Sequence, residues 1–174
     1  LLIDGGEFMA TDLSQPFVAP QRFDLAQSLE VAEHLPPESA ADFVASLCSV
    51  ADIVLFSAAP PGQGGEHHIN EQPYAYWQSL FARQGFQMYD ALRDQMLHNV
   101  SVKPWYRFNT FLFVKEGGRE STHKALSHFR IPSGETPQDK SPRLYQWRKR
   151  IVNALPVRER TRLAVLKRKI RIAR

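Results

Sequence analysis

Four consecutive apolar residues, Ile53-Val54-Leu55-Phe56, stand between a helical pattern and a loop rich in proline and glycine, and this arrangement narrows the fold sharply. A continuous apolar run lacks the alternation of a strand with one wet face, and fits a strand covered on both sides in a parallel sheet. Ahead of it, Ala40, Phe43, Val44, Leu47 and Cys48 recur at the three and four spacing of one buried helical face over 38–48, with Pro37 suited to the first turn. Behind it, the loop 59–65 leads to a second helix over about 73–83 that buries Trp77, Leu80 and Phe81 and ends at Gly85. Strands are expected at Phe8–Thr11, Arg22–Leu29, Phe86–Leu92 and Tyr106–Lys115, with a helical turn near 94–98. The last of these alternates, which places it near an edge. The order predicts an α/β chain with a Rossmann-like, mostly parallel sheet and helices on both faces. Its ligand site would lie at the carboxyl ends of the strands, in the loops after Thr11, Leu29 and Phe56.

The chain has 174 residues, 43% of them hydrophobic, enough for one core of ordinary size. Its charge is unevenly spread. Residues 143–174 carry twelve basic side chains and one acid, leaving ten basic and seventeen acidic before them, a net of about +11 against −7. Composition divides the chain into an α/β domain over 1–116, a linker rich in Gly, Ser and Pro over 117–141, and a basic helical tail over 142–174. In the tail Leu144, Trp147, Ile151 and Leu155 share one helical face, and Leu163, Leu166 and Ile170 another. Such a tail packs its stripe on the domain, docks on an anionic membrane surface, or meets a neighbouring domain. Nucleic acid is the disfavoured partner, because the acidic body repels phosphate. One cysteine, Cys48, and no apolar run long enough to span a bilayer point to a reducing cytoplasm. The start at Leu1 rather than Met reads as that of a fragment.

Few residues carry chemistry by pattern alone. His67 and His68 are adjacent and point to different sides, and no third ligand follows at zinc spacing, so no metal is expected. The cluster Gly62-Gln63-Gly64-Gly65 lacks the Lys-Ser/Thr ending of a nucleotide loop and reads as a mouth loop. Asp12 could cap a turn, Glu33 could sit at the positive end of a helix, and His34 could pack on Pro36.

Two segments carry a family likeness. "FDLAQSLEVAEHL" and "VLFSAAPPGQGGEHHINEQPYAYWQSLFARQGFQMYDALR", with "ATDLSQPF" before and "WYRFNTFLFV" after, resemble the fourth strand, the fifth strand onward and the end of the third strand in class I S-adenosylmethionine-dependent methyltransferases of a bacterial subgroup. The likeness covers about residues 1–115 and implies the C-terminal portion of that fold. The family's Gly-rich turn and the acidic end of its second strand are absent from this chain. By resemblance, S-adenosylmethionine is the cofactor. Asp12 and Leu13 correspond to the adenine contact, and Ser28, Leu29 and Glu30 to the turn lining methionine and ribose. Glu33 and His34 correspond to the acid–imidazole pair at the substrate mouth, with His68, Asn70, Gln72 and Tyr106 as substrate contacts. A histidine near its unperturbed pKa suits removal of an acceptor proton, which makes His68 and His34 the candidate bases. The implied reaction is O- or N-methylation of a small acceptor, a sugar or other secondary metabolite. The alternative is a non-catalytic α/β scaffold whose basic tail binds an anionic membrane or a protein. An open sheet edge predicts a homodimer.

Overall fold

A computed structural model of the chain describes residues 5–172, with side chains described for all of these except 157 and 167–172. The opening Leu1-Leu2-Ile3, and in the tail the side chains of Ile170 and the cations around it, lie outside the described residues. The elements run β1 (Ala26–Leu29), α1 (Ala40–Val50), β2 (Ile53–Ser57), α2 (Tyr74–Arg83), β3 (Phe86–Tyr89), α3 (Arg93–Met96), α4 (Pro104–Asn109), β4 (Phe111–Lys115), α5 (Glu120–Leu126), β5 (Arg130–Ile131), α6 (Arg143–Asn153) and α7 (Val157–Ile172). The strands form one sheet in the order β1-β2-β4-β3-β5.

The class is α/β, as expected, but the strand directions are not mostly parallel. Only β1 and β2 pair parallel, Ala26 opposite Val54 through Leu29 opposite Ser57, while β2–β4, β3–β4 and β3–β5 are antiparallel. The cause is two reversed strands, β4 inside the sheet and β5 at its edge. β1, β2 and β3 run the same way, and β4 fills the gap between β2 and β3. The segment 90–110 that feeds β4 stays at the carboxyl end of the sheet, where Phe111 lies opposite Phe56 and Leu112 opposite Tyr89. A strand entered from that end without a crossover helix must run back antiparallel. The alternating strand therefore lies inside the sheet, with a partner on both sides, and not at an edge. Its first expected residues, Tyr106–Asn109, are helical, because Pro104 starts a short helix after extended Lys103.

The core sits on one face. Val54, Phe56, Phe111, Phe113, Phe86 and Met88 point toward α1 and α2, which pack against each other. Phe81 of α2 stacks on Phe113 at 3.8 Å between centroids and meets Phe56 edge-on at 5.2 Å. Burial of each such ring contributes roughly 2 kcal/mol. Gly85, at φ 74°, lets α2 end and turn into β3. The opposite face is covered by shorter elements: Tyr89 and Val114 are 1% and 2% exposed there, Leu55 and Leu112 are half-buried, and α5 meets this face where the Tyr89 hydroxyl bonds His123 Nδ1 at 2.8 Å.

Phe8–Thr11, expected as a strand, pairs with nothing; Phe8 and Met9 are exposed and the segment ends in a turn in which Asp12 accepts from the Ser14 amide and hydroxyl at 2.9 and 2.7 Å. No strand lies beyond β1 among the described residues to receive it. The Gly- and Ser-rich stretch 117–141 holds α5 and β5, and is tied to the domain by polar contacts. Gln78 donates to the Pro132 carbonyl at 3.0 Å, Arg93 donates to the Gln138 carbonyl at 2.9 Å, and Lys140 pairs with Asp90 at 2.7 Å. Its composition gives no apolar signal because backbone and ionic contacts hold it.

Candidate functional site

Three segments meet at the carboxyl ends of β1 and β2. The first is the turn after β1, where Glu30 takes a left-handed φ of 56° and Ala32–His34 form a short 3-10 turn. The Glu30 amide is fixed there by Ser57, donating to its carbonyl at 3.0 Å and to its hydroxyl at 3.1 Å. The second is the loop 58–72 after β2, pinned to the first because the Glu33 carbonyl accepts from both Ile69 and Asn70 amides at 3.0 Å. The third is α4 together with α6. Between them lies a cleft of about 470 Å³ lined by Glu30, Glu33, His34, Gln63, His68, Trp105, Tyr145 and Arg148 among others.

Two carboxyl groups from the turn after β1, those of Glu30 and Glu33, line this cleft. Burial pushes Glu30 above the ordinary carboxylate range, against hydrogen bonds from Gln63, Ser57 and Asn109 that favour its charge. Gln63 donates to Glu30 at 2.6 Å, Asn109 donates to Gln63 at 2.7 Å, and the Tyr74 hydroxyl donates to Asn109 at 2.8 Å. Glu33 is 0% exposed, and neither of its carboxyl oxygens has a hydrogen-bond partner. Burial, with the charge of Glu30, pushes its pKa up to about 8. At neutral pH Glu33 is an acid that keeps its proton.

The two histidines stand beside it. Their rings are 4.8 Å apart and nearly perpendicular. His34 Nδ1 donates to the His67 carbonyl at 3.3 Å, and burial, with His68 nearby, holds His34 below its ordinary pKa. His68 Nδ1 lies 3.0 Å from Glu71, a residue only 3% exposed in its side chain. Burial alone would raise the Glu71 carboxyl, but donation from His68 and from the amides of Gly62 and Gly64 outweighs it and keeps the group below the usual range. Glu71 accepts, so His68 donates through Nδ1 and its Nε2 is the ring nitrogen turned away from that bond. Gly65 runs along the His68 ring so closely that a Cβ there would stand 2.1 Å from Nε2.

No protein-family model and no curated protein matches the chain. Among solved structures it is similar to a crystal structure of magnesium protoporphyrin IX methyltransferase from Synechocystis PCC 6803 with bound SAH, at 20% identity and a TM-score of 0.43, over 63% of this chain and 51% of that one. The chain spans about half the length of that protein.

The residues singled out from sequence divide by place. Glu30, Glu33, His34 and His68 line the cleft. Ser28 and Leu29 end β1 just before it, and the buried Ser28 hydroxyl has no partner. Asn70 is 1% exposed and gives its amide to the Ala32 carbonyl at 3.3 Å, and Gln72 bonds Asn70 at 3.0 Å, so both brace the loop. Tyr106 lies on α4 outside the cleft lining, where its neighbour Trp105 stands instead. Asp12 and Leu13 are not part of the lining; Ser14 lowers the Asp12 carboxyl pKa by hydrogen bonding, and Leu13 packs on the core. Glu71, Gln63, Asn109 and Arg148 were not anticipated as site residues. The roles of Gln63, Asn109 and Arg148 come from contacts distant in sequence, such as Asn109 to Gln63 and Arg148 to the Gln63 carbonyl at 3.1 Å, which no local pattern announces, whereas Glu71 bonds His68 three residues before it.

The tail is built onto this site. Gly62 has φ 81°, and a Cβ there would lie 1.9 Å from the Lys149 carbonyl of α6. Lys149 is buried and pairs with Asp139, Tyr145 meets Phe108, and Arg160 of α7 pairs with Glu71 at 3.1 Å.

Proposed function

We propose that the cleft is the acceptor end of a methyl-transfer site, using S-adenosylmethionine as donor and a small hydroxyl- or amine-bearing acceptor. One observation supports the reading: the two segments that carry the resemblance, 28–35 and 62–72, meet in one cleft at the carboxyl ends of parallel strands, where α/β sheets bind ligands. The donor, when bound, supplies a methyl group already activated on sulfur. Ser28, Leu29 and Glu30 are the residues that would hold it, Ser28 with an unpaired buried hydroxyl. His68, its Nδ1–H held by Glu71, presents Nε2 to the acceptor's proton, with His34 beside it. The chain is incubated with S-adenosylmethionine and a panel of sugars, hydroxylated metabolites and amines. A product heavier by one methylene, formed by the unaltered protein and lost in His68→Ala, is expected. A panel without any such product, together with no calorimetric binding of donor, would sink the reading.

A second reading is favoured by α6. Leu144, Trp147 and Ile151 are 83%, 63% and 46% exposed, because α6 turns Tyr145, Arg148 and Lys149 to the domain and leaves its apolar stripe outside. Exposed Arg143 and Arg150 stand on the same helix. Apolar side chains bordered by cations suit an anionic membrane surface. No helix among the described residues is long and apolar enough to cross a membrane. Co-sedimentation should show binding to vesicles containing phosphatidylserine that falls steeply as ionic strength rises. Equal binding to purely zwitterionic vesicles would remove the electrostatic part of this idea. The free edge of β1 is where a second copy of the chain would pair.

A further inference from the structure

We infer that Glu33, His34 and His68 form a binding site for a first-row divalent transition-metal ion of the Zn²⁺ or Mn²⁺ type. One ligand atom from each of the three lies within 4.8 Å of the others, close enough to share an ion with small side-chain rotations. Three further observations point to a ligand. Glu33 is wholly buried in this cluster and neither carboxyl oxygen makes a hydrogen bond of ordinary geometry, which leaves the group under-satisfied unless something is bound to it. Each imidazole has its Nδ1 occupied by an acceptor, His34 by the His67 carbonyl and His68 by the Glu71 carboxylate. Such bonds fix the tautomer and ring orientation and leave Nε2 as the coordinating nitrogen, the arrangement that orients metal-binding histidines generally. The cleft beside the cluster leaves room for further ligands from water or an acceptor. Two imidazoles and one carboxylate select transition metals over Mg²⁺ or Ca²⁺, which prefer all-oxygen sites.

The inference deepens the methyl-transfer reading and, for its use there, rests on it. An ion in this place would lower the pKa of an acceptor hydroxyl bound to it, the proton passing to water in the cleft, and His68 would then serve as a ligand and not as the base. Binding itself needs neither donor nor acceptor, so the two readings fail separately.

The test uses the untagged chain, stripped with chelator and dialysed. Titration with Co²⁺ should give visible absorption of a nitrogen- and oxygen-ligated ion saturating at one per chain, reversed by Zn²⁺ and untouched by Mg²⁺. Glu71→Gln, which loosens the bond orienting His68, should weaken Co²⁺ binding about 10–100-fold, and His34→Ala and His68→Ala should weaken it more. His98→Ala, an exposed histidine elsewhere, should leave it unchanged, and circular dichroism checks that every variant is folded. No absorption at saturating Co²⁺, or binding that survives the His34→Ala/His68→Ala double variant, overturns the site. Intact ion binding with no methylated product counts against the methyl-transfer reading alone.

Discussion

Replacing Arg93 by alanine is expected to remove about 3–5 kcal/mol of stability, close to the whole margin of many domains of this size. Arg93 is 1% exposed. Its guanidinium grips both Asp90 oxygens, at 2.7 and 2.8 Å, and donates to the Phe108 and Gln138 carbonyls at 3.0 and 2.9 Å, while it lies 4.1 Å from the centre of the Phe111 ring. Burial alone would raise the Asp90 carboxyl, yet the bonds from Arg93 and Lys140 hold it below the usual range. Alanine leaves that half-buried carboxylate with Lys140 only, the Gln138 carbonyl without its donor, and the Phe108 carbonyl with only the Tyr74 hydroxyl at 3.3 Å. Lysine should rescue little, since one point charge cannot replace a planar fork that serves three acceptors. Urea unfolding of the two variants beside the parent measures this, and a loss below about 1 kcal/mol in Arg93→Ala would show the network to be replaceable by water. Because the Phe108 carbonyl belongs to α4, the same change should loosen Trp105 and Asn109 at the cleft.

The metal-free chain is expected to lose stability as pH rises from about 5 to about 8, by an amount on the order of 3 kcal/mol, and Glu33→Gln is expected to remove that slope. The pKa of Glu33 is raised from 4.5 to about 8 in the folded state, by burial and by the charge of Glu30. Between those values the folded chain binds a proton that the unfolded chain has released. Stability is therefore full below the ordinary carboxylate range, falls through the interval, and levels off above about pH 8. Glutamine keeps the shape and is neutral throughout. Glu71 works in the opposite sense, its lowered pKa lending stability that disappears only in acid, and it is common to both proteins. Glu30, itself raised by burial, acts on Glu33 through its charge, so the difference between parent and Glu33→Gln reports Glu33 together with that interaction. Denaturant unfolding at about pH 5, 7 and 9 measures it, and parallel pH curves would show that the buried carboxyl titrates as if in water.

The elements with one strong local cause were legible in sequence. The run Ile53–Phe56 is a sheet strand with partners on both sides, and Trp77, Leu80 and Phe81 are buried on α2, because apolar spacing alone dictates burial there. The direction of β4 was not legible, since Phe111 and Phe113 announce which face is buried and nothing about which neighbours the strand will find. The helix at 104–109 did have a signal, Pro104 at its first turn, masked by the apolar run that follows. The candidate site was legible in part: Glu30, Glu33, His34 and His68 line the cleft, whereas Asp12 and Tyr106 do not. The proximity of His34 to His68 was hidden because spacing rules compare neighbours in sequence, and these two come from loops on adjacent strands. In α6 the apolar stripe was visible, but which side faced inward depended on partners elsewhere, Asp139 for Lys149 and the Gln63 carbonyl for Arg148.

Glu71 holds three things at once: the amides of Gly62 and Gly64, the imidazole of His68, and Arg160 of the tail. Cleft and tail therefore share one anchoring carboxylate, and their occupancies are thermodynamically linked. A surface or partner that draws α6 and α7 away would release the mouth loop and slacken the histidine's grip. A molecule or ion that settles in the cleft would, by the same factor, make the tail harder to lift.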